Sequence, residues 1–317
     1  MDYSAGNKRS VKDTLLNKVS QSSFFQKCWK TLRKRKIRKE HQKVANFWNP
    51  VIKAYFKNEI EKYSLKPKKQ LPDNKIIWQY WGQGFDRQEL PEIIRLCFDS
   101  VDKYKDDYQV IRLSDENLSD YIDLPAFVGQ KMKNSTFTRT FFSDLLRVAL
   151  LNVYGGVWLD ATVLLTGPFP ESFRDLDYFL YQRSGDEVFK SYWEGSYAYY
   201  WGWYRGFKVR MLSSVFFARK NNATVAALLD LMLYYWKTQN HLLNYFCFQI
   251  LYNELIAGEM AKDQCPIVSD TIPHLLQTKI NGGRDFITEE DLKQITIHKM
   301  AYLNEEAMLR LKEMLNG

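Results

Sequence analysis

Residues 138–170 constrain the fold of this chain most strongly, because they join a long apolar helix to an apolar strand through two glycines. The segment reads TRTFFSDLLRVALLNVYGGVWLDATVLLTGPFP. Its apolar spacing predicts a helix that ends near Asn152, with Gly155 as a left-handed stop. The run VWLDATVLL then predicts a buried strand bounded by Gly167 and Pro168. A buried helix that leads directly into a buried strand favours an α/β protein.

Strands and helices are also predicted to alternate on the N-terminal side of this segment. The run KIIWQYWGQG predicts a first strand at Ile76 to Trp81, and residues 90–104 have the apolar spacing of a helix. Residues 108–122 predict a short strand followed by a helix that Ser114 caps. This alternation predicts a sheet with helices packed on it.

The basic charge of the chain is concentrated in its first 70 residues. They hold 19 Lys and Arg against 5 Asp and Glu, whereas the rest of the chain holds 26 against 32. We therefore predict a basic helical extension over residues 1–72, joined through the linker-like residues 65–75 to one domain over residues 73–317. Because the larger domain is mildly acidic, the net charge of +8 does not indicate a nucleic-acid partner.

Composition also bears on location and redox state. Apolar residues make up 45% of the chain but form no run that spans a membrane, and the first residues contain no apolar core of a secretory signal. We therefore expect a cytoplasmic protein. The four cysteines lack Cys-x-x-Cys spacing, so we expect reduced thiols and not a disulfide framework or a zinc knuckle.

Three charged residues stand out in the helix-to-strand segment. Asp144 and Arg147 lie three positions apart, on one face of an otherwise apolar helix. A structural ion pair and a bound ligand are both open as explanations, since buried charges are costly unless paired. Asp160 lies in a predicted strand of Val, Trp and Leu, where aspartate is a poor strand former. A buried carboxylate favours a cation, so Asp160 is a candidate metal ligand, with a purely structural role as the alternative.

The order S-D-L-L-R followed by Y-G-G-V-W-L-D-A-T-V resembles glycosyltransferases of family 32. The D-A-T variant and the aromatic-rich middle are most similar to the capsular polysaccharide synthesis enzymes of that family, which also includes yeast-type mannosyltransferases and the glucosylating domains of clostridial toxins. The resemblance covers roughly residues 73–303. It implies a GT-A fold, a Rossmann-like α/β sheet that binds a nucleotide sugar, with an Asp-x-Asp motif that holds a divalent metal on the diphosphate.

The resemblance implies roles for the charged residues. Asp144 and Arg147 match positions that hydrogen-bond the donor sugar, and Asp160 matches the first Asp of the metal motif. Thr162 replaces the second Asp, and a hydroxyl is a weaker ligand for a hard cation than a carboxylate. Two possibilities are therefore open: Thr162 contacts the metal directly, or it holds a water bound to the metal. The neighbouring positions that the match also assigns to the donor site are Ser143 and Ala161.

The same resemblance implies roles outside this segment. His298 matches a C-terminal His that completes the metal shell, and Lys299 matches a Lys that meets the diphosphate, with a solvated turn as the alternative for both. Trp81, next to Tyr80, matches the aromatic residue that stacks on uracil in the toxin branch. Gln249 is a weaker catalytic candidate, from a helix motif near the acceptor side.

Together these assignments imply a retaining, metal-dependent hexosyltransferase. The expected donor is a UDP-hexose, with galactose favoured and glucose next, and the expected metal is Mn²⁺ or Mg²⁺. The expected acceptor is a lipid-linked saccharide in bacterial capsular polysaccharide synthesis. The alternatives are a transferase of the same fold with another donor or a protein acceptor, and a non-enzymatic basic membrane adaptor.

Two aromatic segments predict surface contacts. Residues 20–45 combine Phe24, Phe25 and Trp29 with a dense Lys and Arg series, which predicts peripheral docking on the inner face of the cell membrane. A solvated helix or an oligomerisation arm is the alternative. Residues 192–207 carry nine aromatics in sixteen positions, which favours sugar stacking, a membrane interface, or a loop packed on the core.

Overall fold

A mixed sheet of five strands forms the centre of the protein. The computed structural model describes residues 23–133, 137–173, 175–283 and 287–316. The described strands are β1 (Ile76–Tyr80), β2 (Gln109–Leu113), β3 (Gly156–Leu159), β4 (Val163–Leu165), β5 (Tyr178–Gln182), β6 (Met211–Ala218) and β7 (Ile297–Lys299). The central sheet has the order β2-β1-β3-β6-β5, and β4 pairs with β7 in a small second sheet. β1 runs parallel to β2 and β3, whereas β6 runs antiparallel to β3 and β5.

Hydrophobic clusters cover both faces of the central sheet. Alternate residues of β1 enter different clusters: Ile76 and Trp78 belong to the largest one, and Ile77 belongs to another. The described helices are α1 (Ser23–Phe56), α2 (Glu92–Tyr104), α3 (Ala126–Met132), α4 (Arg139–Tyr154), α5 (Lys190–Ser196), α6 (Ala223–Thr238), α7 (Cys247–Ala257), α8 (Leu275–Ile280), α9 (Glu289–Lys293) and α10 (Glu305–Asn316). The predicted α/β class is confirmed, and the GT-A fold stays a prediction.

The junction between α4 and β3 follows the sequence prediction. α4 begins after Thr138, whose side chain accepts a hydrogen bond from the backbone N–H of Phe141, and it ends before Gly155, whose φ is 72°. Gly156 has a φ of 102°, and a Cβ there would lie 2.3 Å from the carbonyl oxygen of Ile76. The positive φ angles and the close approach both require glycine, so the helix stops and the strand begins at this pair.

The single strand predicted over VWLDATVLL is wrong, because the segment forms two strands in two sheets. Asp160 lies in the turn between β3 and β4, where its backbone N–H donates to the carbonyl oxygen of Ser214 at 2.9 Å. Aspartate fits a pleated, half-buried surface poorly, and a turn here lets its carboxylate leave the sheet. β4 then pairs with β7 and not with the central sheet.

The helix predicted after Ser114 is also wrong. Its place is taken by a short 3₁₀ turn at Leu118–Asp120. The backbone N–H of Ser114 donates to the side chain of Asn117 at 2.9 Å, and the Ser114 hydroxyl accepts from the backbone N–H of Glu116 at 3.3 Å. Such local side-chain bonds compete with the helical hydrogen-bond pattern, so the chain turns here and does not continue as a helix.

Helix α1 shares the largest hydrophobic cluster with the central sheet. Its buried residues in that cluster are Ile37, Val44, Ala45, Trp48, Val51, Ile52 and Tyr55. The indole N–H of Trp48 donates to the carbonyl oxygen of Cys247, at 3.1 Å. The linker-like segment is also attached, since the backbone N–H of Lys68 donates to the Tyr154 hydroxyl at 3.0 Å. Helix α1 and the linker-like segment are therefore packed against the domain that we predicted to start at residue 73.

Part of the predicted membrane-docking segment lies outside the described structure. Residues 1–22 are not among the described residues, and the side chains of Phe24 and Phe25 are not described either. Trp29 and Leu32 are described and lie on the surface, with 62% and 57% of their area exposed. In the described part of the chain, no helix is both long and apolar enough to cross a membrane. The four cysteines are free thiols, as predicted.

Candidate active site

The carboxyl ends of β1 and β3 bring the candidate residues to one edge of the central sheet. These parallel neighbours are in register at Ile77 with Val157 and at Trp78 with Trp158. Trp81 follows β1, and Asp160 follows β3. In open α/β sheets, ligands bind at the edge that the carboxyl ends of the parallel strands form.

Arg147 links two carboxylates at this edge. Its guanidinium pairs with Asp144 one helical turn away, and its Nη2 lies 3.0 Å from Oδ1 of Asp160. The side chain of Arg147 is 2% exposed and that of Asp144 is 8% exposed, whereas that of Asp160 is 27% exposed. The structural ion pair that the sequence left open is thus present, and it includes Asp160 as a third member. Of the three, Asp160 is the residue that a ligand reaches.

Trp158 fixes the orientation of this cluster. Its indole N–H donates to Oδ1 of Asp160 at 2.8 Å, and the Arg147 guanidinium lies 5.1 Å from its ring centroid. Trp158 was not among the site residues predicted from the sequence, because a tryptophan in a buried strand usually belongs to the core. The available signal was its position two residues before Asp160, which puts both side chains on the same side of an extended chain.

The two carboxylates of the cluster have pKa values shifted in opposite directions. Burial raises the pKa of Asp144 to about 6, although the charge of Arg147 opposes that shift. Burial also acts to raise the pKa of Asp160, but the charges of Arg147 and Lys299 outweigh it and hold that pKa well below its usual range. Asp160 therefore carries a negative charge at neutral pH, between two cations.

The small sheet brings Lys299 to Asp160. β4 pairs with β7 so that Val163 lies opposite Lys299. The Nζ of Lys299 lies 3.7 Å from Oδ2 of Asp160 and donates a hydrogen bond to the hydroxyl of Thr162. The side chains of Asp160, Thr162 and Lys299 thus form one cluster, although Lys299 is far from the other two in the chain.

The ring of His298 does not join that cluster. Successive side chains of a strand point to opposite faces, and His298 is 1% exposed, with its Nε2 3.0 Å from the hydroxyl of Thr166. Burial lowers its pKa to about 4, so the ring is neutral. The metal-ligand role of His298 stays a prediction that this geometry does not support.

Two oxygens of the cluster face one cationic side chain. Oδ2 of Asp160 and the hydroxyl of Thr162 both face the ammonium group of Lys299. Carboxylate and hydroxyl oxygens are ligands of the kind that Mg²⁺ and Mn²⁺ prefer. Within the described ranges, no three or more His, Cys, Asp and Glu residues come together as a ready-made metal site. These two oxygens therefore fit a metal ion whose other ligands come from a substrate and from water.

The side chains of four other predicted site residues have their described contacts outside this cluster. Trp81 is partly buried against a second hydrophobic cluster, to which the buried Ala161 also belongs. The hydroxyl of Tyr80 donates a hydrogen bond to Asp115. Tyr80 is 8% exposed, so its ring lies inside the core. The Ser143 hydroxyl donates to the carbonyl oxygen of Thr140 at 2.7 Å.

Gln249 occupies a buried position at the start of α7. Its Nε2 donates to the Ser213 hydroxyl at 3.1 Å, next to Ser214, which accepts the backbone N–H of Asp160. Its Oε1 is buried and has no hydrogen-bond partner among the described residues. A free acceptor of this kind suits a hydroxyl or amide donor of a ligand.

The aromatic segment 192–207 is anchored on a buried ion pair. Arg183 and Asp270 are fully buried and pair at 2.8 Å, and the guanidinium lies 4.5 Å from the ring centroid of Trp201. Most of the segment is thus a loop packed on the core, one of the three explanations left open by the sequence. Among the aromatic side chains of the segment, Tyr197 and Tyr199 lie on the surface, with 50% and 47% of their area exposed.

An α/β sheet with a charged cluster at the carboxyl ends of its parallel strands defines a ligand-binding α/β protein. The profile of one family, described as capsular polysaccharide synthesis protein, matches residues 26–316, and the chain belongs to that family. The match includes most of α1, which our resemblance left out, since the helix is part of the same core. Membership confirms the predicted link to capsular polysaccharide synthesis.

Two solved structures are similar to this chain at low identity. One is described as "PaToxG Glycosyltransferase", with 14% identity and a TM-score of 0.35 over 90% of this chain and 96% of the other. The second is a glycosyltransferase involved in the glycosylation of the major capsid of PBCV-1, with 13% identity and a TM-score of 0.36 over 75% and 98%. TM-scores this low establish neither a shared fold nor a shared function. No curated protein matches the chain.

Proposed function

We propose that this chain transfers a hexose from a UDP-hexose to a lipid-linked saccharide, with retention of configuration and with Mn²⁺ or Mg²⁺ bound. Galactose is the donor sugar that we favour, and glucose is the next. The observation that carries the proposal is the ionised Asp160, held between Arg147 and Lys299 at the ligand-binding edge of the sheet. Together with the S-D-L-L-R and W-L-D-A-T order, this cluster supports a nucleotide-sugar site.

The cluster supplies the charges that a departing nucleoside diphosphate needs. Asp160 and Thr162 would hold the metal ion, which neutralises the diphosphate when it is bound. Lys299 contributes a second positive charge beside them. Groups that are already oriented toward developing charge usually contribute most to such a transfer. Retention of configuration places the acceptor hydroxyl and the departing diphosphate on the same face of the sugar. The diphosphate would therefore also take the proton of that hydroxyl.

Asp144 and Arg147 would position Asp160. Both side chains are buried in the ion pair, so contact with the donor sugar hydroxyls requires that the pair opens toward the ligand. Trp81 would offer its partly exposed ring to the uracil, whereas Tyr80 lies in a different hydrophobic cluster. Gln249 would orient the acceptor through its unpaired Oε1.

The acceptor is proposed to be bound to the inner face of the cell membrane. The first described turns of α1 expose Trp29 and Leu32 among Lys27, Lys30 and Lys36. An apolar patch inside a basic surface suits the interface of an anionic bilayer. The enzyme and a lipid-linked saccharide would then meet on the same surface.

A donor panel tests the proposal. We would measure UDP or GDP release from UDP-galactose, UDP-glucose and GDP-mannose, with added Mn²⁺ or with a chelator. The expected result is fastest release from UDP-galactose and loss of release with the chelator. Preferred use of GDP-mannose would overturn the assigned donor. Absence of both release and calorimetric nucleotide binding would favour a non-enzymatic adaptor.

A further inference from the structure

A groove lies between α1 and the aromatic segment 192–207, and none of the residues of the Asp160 cluster lines it. Its volume is about 460 Å³. The α1 wall contributes Lys27, Lys30, Arg33 and Lys34, and the opposite wall contributes Trp201 and Tyr204. One wall is therefore cationic and the other is aromatic.

Two hydrogen-bond donors in this groove lack partners. The Nε of Arg33 and the hydroxyl of Tyr204 are buried, and neither has a partner among the described residues. Buried polar groups in folded proteins nearly always have partners, so each exception needs an explanation. Burial and the nearby Glu194 raise the pKa of Tyr204 to about 12, and its hydroxyl therefore keeps its proton. Two unpaired donors in one groove indicate a ligand that carries oxygen acceptors.

The charge of the groove favours an anionic ligand. Glu194 is the acidic residue that lines it, and Lys34 already pairs with Glu194 at 2.6 Å. Lys27, Lys30 and Arg33 form no ion pair with any residue that the structure describes. A guanidinium, ammonium groups and a hydroxyl together match the oxygens of a phosphoryl group.

The aromatic segment leads from this groove toward the Asp160 cluster. Ala198 lines the groove, and the neighbouring Tyr197 lies 6.5 Å from Phe246, measured between ring centroids. Phe246 in turn contacts Tyr245 at 5.0 Å. Phe246 directly precedes α7, in which the ring centroid of Phe248 lies 5.7 Å from the guanidinium of Arg147. Exposed tyrosines along this path suit the faces of sugar rings.

We propose that the groove binds the phosphoryl or diphosphate group through which the acceptor saccharide is joined to its lipid. The saccharide would then extend past Tyr197 and Tyr245 to the Asp160 cluster. The ligand is carried by a lipid and is not free phosphate, because Trp29 and Leu32 expose apolar surface on the same turns of α1 as Lys27 and Lys30. The identity of this ligand as the acceptor rests on the proposed function.

Calorimetric titration with geranyl diphosphate, a soluble lipid diphosphate, tests the proposal on the full chain. Tyr204→Phe removes only the unpaired hydroxyl, and Lys30→Gln removes one groove charge. Each is expected to weaken binding at least fivefold, with the melting temperature of Tyr204→Phe unchanged. Lys36→Gln makes the same charge change on an exposed position of α1 outside the groove, and Asp160→Asn reports binding at the donor site. Both controls are expected to bind within twofold of the unchanged chain.

Three results would overturn the proposal. One is equal affinity of Tyr204→Phe and the unchanged chain for geranyl diphosphate. Another is a loss of affinity in Asp160→Asn that exceeds the loss in Lys30→Gln, which would place the probe in the donor site. The third is equal affinity for inorganic pyrophosphate, since a free anion would then suffice. UDP release by Tyr204→Phe from a UDP-hexose, measured without acceptor, should stay normal, so failure of the groove and failure of the donor site are distinguishable.

Discussion

Asp160 is the central residue of the proposed donor site. We expect Asp160→Asn to lower UDP release from the donor by about 100-fold or more, because oriented charges at a leaving group commonly contribute that much. The variant keeps a side-chain oxygen for the Trp158 indole N–H, so its circular dichroism spectrum should be unchanged. Asp99→Asn is a matched control, since Asp99 also pairs with an arginine but lies on an exposed part of α2. Near-normal turnover of Asp160→Asn at saturating metal would refute its role.

Trp81 provides the test of nucleotide binding. We expect Trp81→Ala to weaken UDP binding about tenfold or more, since an aromatic stacking face contributes about 1 to 3 kcal/mol per base. Trp78→Phe is the control: Trp78 is fully buried and donates to the carbonyl oxygen of Gly155 at 3.0 Å, so its loss should lower the melting temperature and leave UDP affinity unchanged. If Trp81→Ala behaved like this control in calorimetry and melting, Trp81 would be a core residue only.

Single residues were predictable where the chemistry of one position was unusual for its surroundings. Asp160 was singled out in this way, whereas Lys299 came from the resemblance, and the structure places their side chains 3.7 Å apart. Trp158 was missed because tryptophan in a buried strand is ordinary, although its position two residues before Asp160 allowed its indole to hold that carboxylate. His298 and Lys299 are adjacent in the sequence, but successive side chains of β7 point to opposite faces, so the two side chains lie apart. A resemblance between sequences does not show on which face each side chain lies.

Elements were predictable where local sequence decides them and not where tertiary pairing does. The α4 to β3 junction depends on two glycines and appears as predicted. The break between β3 and β4 depends on β7, which is more than 130 residues away in the chain, so local pattern indicated one strand. α1 looked like a separate basic extension, because its exposed lysines and arginines outnumber the apolar residues that it buries in the core.

The attachment of α1 to the domain should weaken in acid, because His41 is buried there. Its Nδ1 accepts the backbone N–H of Lys208 at 3.1 Å, and burial together with the charge of Lys208 lowers its pKa to about 4. Between about pH 6.5 and pH 4 the unfolded chain binds a proton at this residue that the folded chain does not bind, so stability falls as the pH falls. From pH 7 to pH 5 the loss from this one group is about 2 kcal/mol.

Denaturant unfolding at pH 7 and pH 5 checks this contribution. In His41→Asn the amide oxygen replaces Nδ1 as an acceptor but does not titrate, so the difference in unfolding free energy between the two pH values should shrink by about 2 kcal/mol. His274 and His298 are also buried with lowered pKa values and keep a remaining pH dependence in the variant. Identical pH dependence in the variant and the unchanged chain would show that His41 does not control it.

At the scale of the whole molecule, the shared core of α1 and the central sheet fixes the basic surface relative to the donor site. α1 packs on α7, and α7 carries Gln249 and Phe248, whose ring lies 5.7 Å from the Arg147 guanidinium. A surface that docks on a membrane through α1 would therefore present the Asp160 cluster in one orientation. Removal of residues 1–45 would expose the core that Ile37 and Val44 fill, so membrane docking has to be tested with surface variants.

Trp29→Ser with Leu32→Ser is the variant that tests docking. We expect the unchanged chain to sediment with vesicles of 30% phosphatidylglycerol and 70% phosphatidylcholine at low salt, because each basic residue near an anionic surface contributes about 1 kcal/mol. It should stay in the supernatant with phosphatidylcholine alone, and the double variant should bind the anionic vesicles at least several-fold more weakly, since it lacks the apolar contacts. Leu309→Ser removes an equally exposed leucine from α10, at 59% exposure, and should sediment like the unchanged chain. Two results would exclude α1 as the membrane contact: equal sedimentation of all three proteins, or no sedimentation with either kind of vesicle. The enzyme would then have to reach a lipid-linked acceptor through another surface.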